Sequence, residues 1–203
     1  MEGRTAAAGD AATMELTLDE ITALFTSDGQ YRCARWGRPV APVIFGLADE
    51  SLDIFRAAIR AAFAHAGHPI TDTDPEMGAN LMMFFCREWQ ELDGIPDLDR
   101  LTGQPDLPAR LKATNADHYQ IQRFDADGSI RASLSFTRMG GALADAHPAM
   151  LAETLAMRSM LSFAQEISAS DPLARLIRAA YDPVMPQVAT DPSHAMRLAA
   201  RLG

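Results

Sequence analysis

Apolar and polar positions alternate most regularly between residues 119 and 136. The runs YQIQRF and SIRASLSF lie on either side of the tetrapeptide DADG. Alternation with a period of two is typical of strands with one buried face, and the glycine of such a turn tolerates a positive φ. The pattern therefore predicts a β-hairpin that turns at Asp125–Gly128.

Further strands are predicted earlier in the chain. They cover Tyr31–Trp36, Val40–Phe45, a short stretch at Pro69–Thr73, and Ala79–Cys86. The last of these, ANLMMFFC, is apolar throughout, which is typical of a strand covered on both faces. Pro39 and Pro42 lack an amide proton, so the strand around them is predicted to lie at a sheet edge.

Helices are predicted where apolar residues recur three and four positions apart. Leu52, Phe55, Ile59 and Phe63 follow this spacing and indicate a helix over Leu52–Ala66, capped by Asp49 or Ser51. Thr17 and Glu20 form a capping box ahead of a helix over Leu18–Phe25. Residues 91–108, rich in Pro, Gly and Asp, are predicted to be a surface connection with a helical turn near Leu98–Leu101, and a helix over Ala109–Asn115 follows.

The chain after His147 is predicted to be helical throughout. Its first helix spans residues 147–167, and Asp171 and Asp191 are predicted N-caps before Pro172 and Pro192. The fold class is therefore α+β, with an N-terminal mixed sheet, helices and a β-hairpin, then a helical C-terminal half. We expect one domain over residues 15–203, preceded by a disordered, alanine-rich tail of residues 1–14.

Charge narrows the range of partners. The formal net charge is −9, Lys112 is the single lysine, and the arginines are scattered along the chain. Nucleic-acid binding and binding to anionic membranes are therefore not expected. No secretory signal or membrane-spanning run is present, so we expect a cytoplasmic protein. The preference for arginine over lysine, with abundant alanine, suggests a GC-rich bacterial genome.

The residues that commonly hold metals or act as nucleophiles form no known motif. Cys33 and Cys86 are predicted to be buried free thiols. His65 and His68 are separated by Gly67, which ends a helix, while His118, His147 and His194 are isolated in sequence. No nucleophile elbow or phosphate-binding loop occurs. The acidic loop 71–76 lacks the pattern of a calcium site and is predicted to be solvated. We therefore expect neither a metal nor a cofactor.

Glu153 lies in an apolar stretch of the predicted helix 147–167. A carboxylate in such surroundings either pairs with a basic group or becomes difficult to ionise. Two interpretations therefore stand side by side. In one, Glu153 pairs with Arg131, Arg138 or Arg178; in the other, it is a pocket carboxylate with a raised pKa.

Three stretches resemble a proteobacterial domain family of unknown function, some of whose members are secreted or lipid-anchored. They are Ala34–Val40, Ala79–Phe85 and Ala180–Pro186. The family has a zincin-like, metzincin-type fold that lacks the zinc motif, and the resemblance covers about residues 30–200. It implies that Glu153 corresponds to the catalytic base of a zincin. Ala152 and Ala156 stand where the motif H-E-x-x-H has its two histidines.

Alanine cannot bind zinc, and without a metal nothing lowers the pKa of a water molecule for Glu153 to activate. We therefore expect a non-catalytic pseudoenzyme, a degenerate zincin-like scaffold that binds a partner protein or a small ligand. Glu153, His147 and Tyr181 are the candidate binding residues. One alternative is a metal-independent or atypical hydrolase in which Glu153 is the base and His147 and Tyr181 donate protons. Another is a homodimer whose seam contains Met150, Met157 and Met160.

Overall fold

The computed structural model describes residues 15–202, so the predicted disordered tail lies outside the described residues. The helices are α1 (Leu18–Leu24), α2 (Asp49–His65), α3 (Leu98–Thr102), α4 (Leu107–Ala113), α5 (Pro148–Arg158), α6 (Asp171–Ala180) and α7 (Ser193–Ala199), with a 3₁₀ helix at Trp89–Gly94. The strands are β1 (Thr26–Ser27), β2 (Gln30–Tyr31), β3 (Cys33–Ala34), β4 (Pro42–Phe45), β5 (Leu81–Cys86), β6 (His118–Phe124), β7 (Ile130–Arg138) and β8 (Val188–Ala189). The α+β prediction is confirmed.

A mixed sheet with the order β4-β5-β7-β6 forms the centre of the molecule. Strands β4, β5 and β7 are parallel, and β6 pairs antiparallel with β7 through the predicted hairpin, where Gly128 has a φ of +85°. Within residues 15–202, β4 lies at one end of the sheet, as its prolines predict. The predicted strand at 69–73 amounts to one bridge between Val40 and Ile70.

Both faces of the sheet are covered, which explains the continuous apolar sequence of β5. Leu81, Met83 and Phe85 point into a core that also takes residues from α1, α2, α5, α6 and α7. Phe84 and Cys86 point into a second cluster, formed with the 3₁₀ helix, α3 and α4. The prediction of a surface connection over residues 91–108 is therefore wrong, because Leu92, Leu98 and Leu107 are buried in that second cluster.

Helix α5 is shorter than predicted and ends at Arg158, not at Ile167. Beyond it the backbone turns to strand β3: Ser162 N–H donates to the carbonyl of Ala34 at 3.0 Å, and the Ser162 hydroxyl accepts from Ala34 N–H at 2.7 Å. Because these groups bond to a strand, they cannot continue the helix. The C-terminal half is therefore not helical throughout; residues 159–170 are irregular, and β8 pairs antiparallel with β3.

The caps agree with the sequence at α1 and differ at the other helices. Thr17 and Glu20 form the predicted capping box. Helix α2 instead follows Ala48, which makes no side-chain cap bond, so Asp49 already lies inside the helix and neither it nor Ser51 is the cap. Ser170, not Asp171, caps α6, because Pro172 takes the second helical position. Asp191 lies one residue before the Pro192 cap of α7 and accepts from Ser193 N–H at 2.8 Å.

Candidate binding site

Helix α5 buries two of its alanines and exposes its carboxylate. Ala152 and Ala156 are both 0% exposed, whereas Glu153 lies at the surface. Successive residues are rotated by roughly 100° around a helix, so neighbours in sequence face different surroundings. The expectation that apolar side chains enclose Glu153 is therefore wrong, because its side chain is exposed. Ala152 and Ala156, four positions apart, occupy the buried side of α5, and the Glu153 side chain does not.

Glu153 also lacks the predicted arginine partners. Arg131 pairs with Glu76 at 2.8 Å and Arg138 with Asp117 at 2.7 Å. Arg178 lines a different cavity. Within residues 15–202, Glu153 forms no ion pair. Its carboxylate is therefore free to meet a ligand from solvent.

An open groove lies beside Glu153, between α2, α5 and α6, and has a volume of about 590 Å³. We call it the helix groove. Small side chains form much of its surface: Ala57, Ala58, Ala61, Ala62, Ala149 and Ala174. Ile54, Met157, Met160 and Ile177 add larger apolar surface, and the polar residues that line it are Glu153, His65 and Asp171. A concave, mostly apolar surface with a few polar groups is the usual form of a binding site.

The three candidate residues do not share one cavity. Glu153 lines the helix groove, while His147 is exposed at the start of α5 and lines a separate cavity of about 310 Å³. Tyr181 is buried and borders a third cavity of about 710 Å³. Neither predicted proton donor therefore faces the carboxylate of Glu153 in the groove.

Tyr181 and Trp36 connect three distant segments of the chain. The Tyr181 hydroxyl donates to the carbonyl of Met160 at 2.7 Å and accepts from the Trp36 amide at 3.4 Å. The Trp36 indole N–H donates to the carbonyl of Ser159 at 2.8 Å. Burial raises the pKa of Tyr181, which makes its proton harder to lose. We call this set of bonds the Trp36–Tyr181 clamp; it fixes the end of α5 and gives Tyr181 a structural part.

Three of the histidines form a side-chain hydrogen bond in the described chain, and each of them bonds to one group. His65 bonds to the carbonyl of Ala174 at 3.2 Å, His68 to that of Arg38 at 2.8 Å, and His194 to the Tyr31 hydroxyl at 2.9 Å. Over residues 15–202, no three His, Cys, Asp or Glu side chains are placed to hold one metal ion. Cys33 and Cys86 are buried free thiols, and burial raises the pKa of Cys86 to about 11.

The acidic loop 71–76 is anchored more firmly than predicted. Asp74 is buried, and its carboxylate accepts from the amides of Glu76 and Met77 and from the side-chain amide of Asn80. Asn80 in turn accepts from Ala41 N–H at 2.8 Å and donates to the Pro39 carbonyl at 2.9 Å. Asp74 therefore fastens the start of β5 to the segment before β4, while Asp72, Thr73, Pro75 and Glu76 are exposed, as predicted for a solvated loop.

His118 is a half-buried titratable group with a buried Nε2 atom, which the sequence does not reveal. It starts strand β6 and lines the same cavity as His147 and Arg158. Burial, together with the positive charge of Arg158, lowers the pKa of His118 to about 3. Its Nε2 atom has no hydrogen-bond partner. The alternation of β6 indicates only that His118 and Tyr119 face opposite sides, so nothing in the sequence shows that the side of His118 is covered.

No family model, curated protein or solved structure matches this chain. The resemblance to the zincin-like family therefore stays a prediction. In the described part of the chain, every helix is too short or too polar to cross a lipid bilayer.

The buried alanines of α5 predict the effect of restoring the zinc motif. We expect Ala152→His/Ala156→His to lower the free energy of unfolding, because two imidazoles must enter a filled interior and overpacking costs about 1–3 kcal/mol per site. Urea denaturation with and without zinc measures the effect, and Ala149→His, at the partly exposed groove surface, is the control. A well-folded double variant that gains stability from one equivalent of zinc would contradict the prediction.

The Trp36–Tyr181 clamp predicts a stability loss in Tyr181→Phe. The substitution leaves the carbonyl of Met160 without its donor in the interior, which costs about 1–3 kcal/mol. Chemical denaturation measures it, with Tyr119→Phe as the control because the Tyr119 hydroxyl makes no bond within the described chain. Equal stability of Tyr181→Phe and wild type would show that the clamp contributes little.

The depressed pKa of His118 predicts stability that falls in acid. A histidine in an unfolded chain has a pKa of about 6.5, whereas the pKa of His118 in the folded chain is about 3. Between these values the unfolded chain binds the proton and the folded chain does not. Stability is therefore lost as pH falls from about 6.5 towards 3, by up to roughly 1.4 kcal/mol per pH unit.

The pH dependence of unfolding in three proteins tests this. His118→Gln is expected to show a weaker decline than wild type, while the exposed-site control His147→Gln keeps the wild-type decline. Some decline remains in every variant, because burial also lowers the pKa of His68 and His194. A wild-type decline in His118→Gln would rule out His118 as its source.

Proposed function

We propose that this chain is a non-catalytic binding protein, a degenerate zincin-like scaffold that holds a helical segment of a partner protein in the helix groove. The observation that carries the proposal is the groove itself, an open apolar surface with Glu153 along it. The packing of α5 supports the non-catalytic part. The positions of the two motif histidines are filled by buried alanine side chains.

The hydrolase alternative has less support. It needs His147 and Tyr181 close to Glu153, and a base must lie within hydrogen-bond reach of the groups with which it exchanges protons. These two residues line other cavities, and the Tyr181 hydroxyl already donates to a backbone carbonyl. The homodimer alternative also has less support, because Met160 is buried in the core while Met150 is largely exposed, so the two do not form one surface.

The shape of the groove favours a helix as its occupant. It is bounded by helices and floored by alanines, whose small side chains let another helix approach closely. Amphipathic helices that lay their apolar face in such a groove are a common mode of protein recognition. The segment that fits here has small and medium apolar residues along one face.

Charge indicates the polar face of that segment. Among the described residues, the groove is lined by the carboxylates of Glu153 and Asp171 and by no arginine or lysine. The whole chain carries a net charge of −9. Opposite charges across an interface favour the correct partner and speed association. The partner segment is therefore a basic amphipathic helix.

A defined peptide tests the groove directly. The probe is a fluorescent helical peptide with an alanine- and leucine-rich face flanked by lysines, compared with the same peptide carrying glutamates in place of the lysines. We expect fluorescence polarisation to show binding of the lysine peptide alone. Ala61→Trp, which fills the groove from an exposed position, should weaken binding about tenfold or more, which is at least ~1.4 kcal/mol.

Two controls make the result specific. Ala113→Trp places the same ring at an exposed site on α4, outside the groove, and should bind like wild type. Glu153→Gln should weaken the lysine peptide and reduce its dependence on salt. Equal binding by the Ala61→Trp and wild-type proteins would sink the proposal. A dimer in sedimentation velocity that Ala61→Trp dissociates would make a second copy the occupant.

We further propose a bacterial, cytoplasmic setting for this binding. Support comes from the sequence, in which arginine is used almost to the exclusion of lysine and alanine is abundant. The two cysteines are buried as free thiols, as is usual in a reducing compartment.

A further inference from the structure

The cavity of about 710 Å³ that Tyr181 borders carries charge of the opposite sign to the helix groove. It lies between the end of α2, helix α6 and the segment that follows α6, and shares His65 with the groove. Arg175, Arg178 and Arg201 line it, and Asp182 is the only carboxylate that does so among the described residues. We call it the arginine cleft. Nothing in the sequence indicates this cleft, because its arginines come from separate parts of the chain.

The positive charge in the cleft is largely without counter-ions. Arg201 contacts Asp182, with 3.5 Å between Nε and the carboxylate oxygen. Over residues 15–202, neither Arg175 nor Arg178 has a carboxylate within the 4.0 Å of an ion pair. The Nε of Arg175 is buried and has no hydrogen-bond partner in the described part of the chain. The chain has a net charge of −9, yet none of the carboxylates between residues 15 and 202 pairs with these two guanidinium groups.

Capping of helix ends does not account for these arginines. Basic residues often bind the free carbonyls at helix C-termini. At the end of α6, however, Arg35 fills this part, since it donates to the carbonyls of Ala180 and Asp182 at 3.1 and 3.4 Å. In the last turn of α2, the carbonyls of Ala62 and Ala64 accept from backbone amides. The guanidinium donors of Arg175 and Arg178 therefore remain available to a ligand.

We propose that the arginine cleft binds the phosphoryl group of a small phosphorylated molecule. A guanidinium presents paired N–H donors that match two oxygens of a phosphate, and such charge-assisted bonds are the strong ones in proteins. Arginines from α6 and from the segment after α7 can approach one phosphate from different sides. The size of the cavity is that of a typical small-molecule site and exceeds what a single phosphate needs. A phosphate monoester and a diphosphate share this chemistry.

The test uses inorganic phosphate, pyrophosphate and glycerol phosphate as probes, with succinate as a doubly charged carboxylate for comparison. We expect isothermal titration calorimetry at low ionic strength to show saturable binding of at least one phosphoryl probe and weaker binding of succinate. Arg178→Gln, at an exposed position, should weaken that probe about tenfold. Arg100→Gln, an exposed arginine of α3 outside the cleft, should bind like wild type.

Failure of this proposal is distinguishable from failure of the helix groove. Arg178→Gln should leave binding of the lysine-rich peptide unchanged, and Ala61→Trp should leave phosphate binding unchanged. No saturable binding of any phosphoryl probe overturns the cleft proposal. Equal affinity of Arg178→Gln and wild type also overturns it, and so does tighter binding of succinate than of every phosphoryl probe.

Discussion

The Trp36–Tyr181 clamp is the constraint on which the arrangement of the helices depends. Two buried side chains take up the carbonyls of Ser159 and Met160, where α5 ends. Because Tyr181 is the residue that caps α6, the same bonds fix the ends of two helices against one strand segment. Arg35 strengthens the junction by donating to the carbonyl of Ala180, the last residue of α6, and to that of Met185 beyond it. The helix groove and the arginine cleft are both bounded by α6, so their shapes follow from this junction.

The packing of α5 connects the fold to the absence of a zinc motif. A histidine at position 152 or 156 would need an open cleft on that side of the helix, but both alanines are completely buried. Alanine has the smallest side chain that still favours a helix, so it allows close packing at little cost in helix propensity. Glu153 does not take part in this packing and lines the helix groove instead.

The sequence predicts elements well where a single local rule applies. The hairpin at Asp125–Gly128, the capping box at Thr17 and the covered strand β5 depend on neighbours a few residues away. It fails where distant segments compete for the same backbone groups. The end of α5 is decided by bonds to strand β3, more than a hundred residues earlier. The partial burial of His118 depends on α5 and the segment after it, which line the same cavity. The candidate sites differ in the same way. Glu153 draws attention from its own helix alone, although its exposure does not follow from the sequence, whereas the three arginines of one cleft come from distant positions and form no sequence pattern.

Helix α6 links the two cavities through its own electrostatics. It begins with Asp171, which lines the helix groove, and carries Arg175 and Arg178 further along, which line the arginine cleft. An acidic start and a basic last turn complement the helix dipole, which favours Asp171 and Arg178 but gives no reason for Arg175 in the middle of the helix. Arg201 belongs to another segment, where it contacts Asp182 and donates to the Arg197 carbonyl of α7, and it adds a third guanidinium at the same cavity. That convergence requires a tertiary arrangement, and an anion bound between the arginines is what would stabilise it.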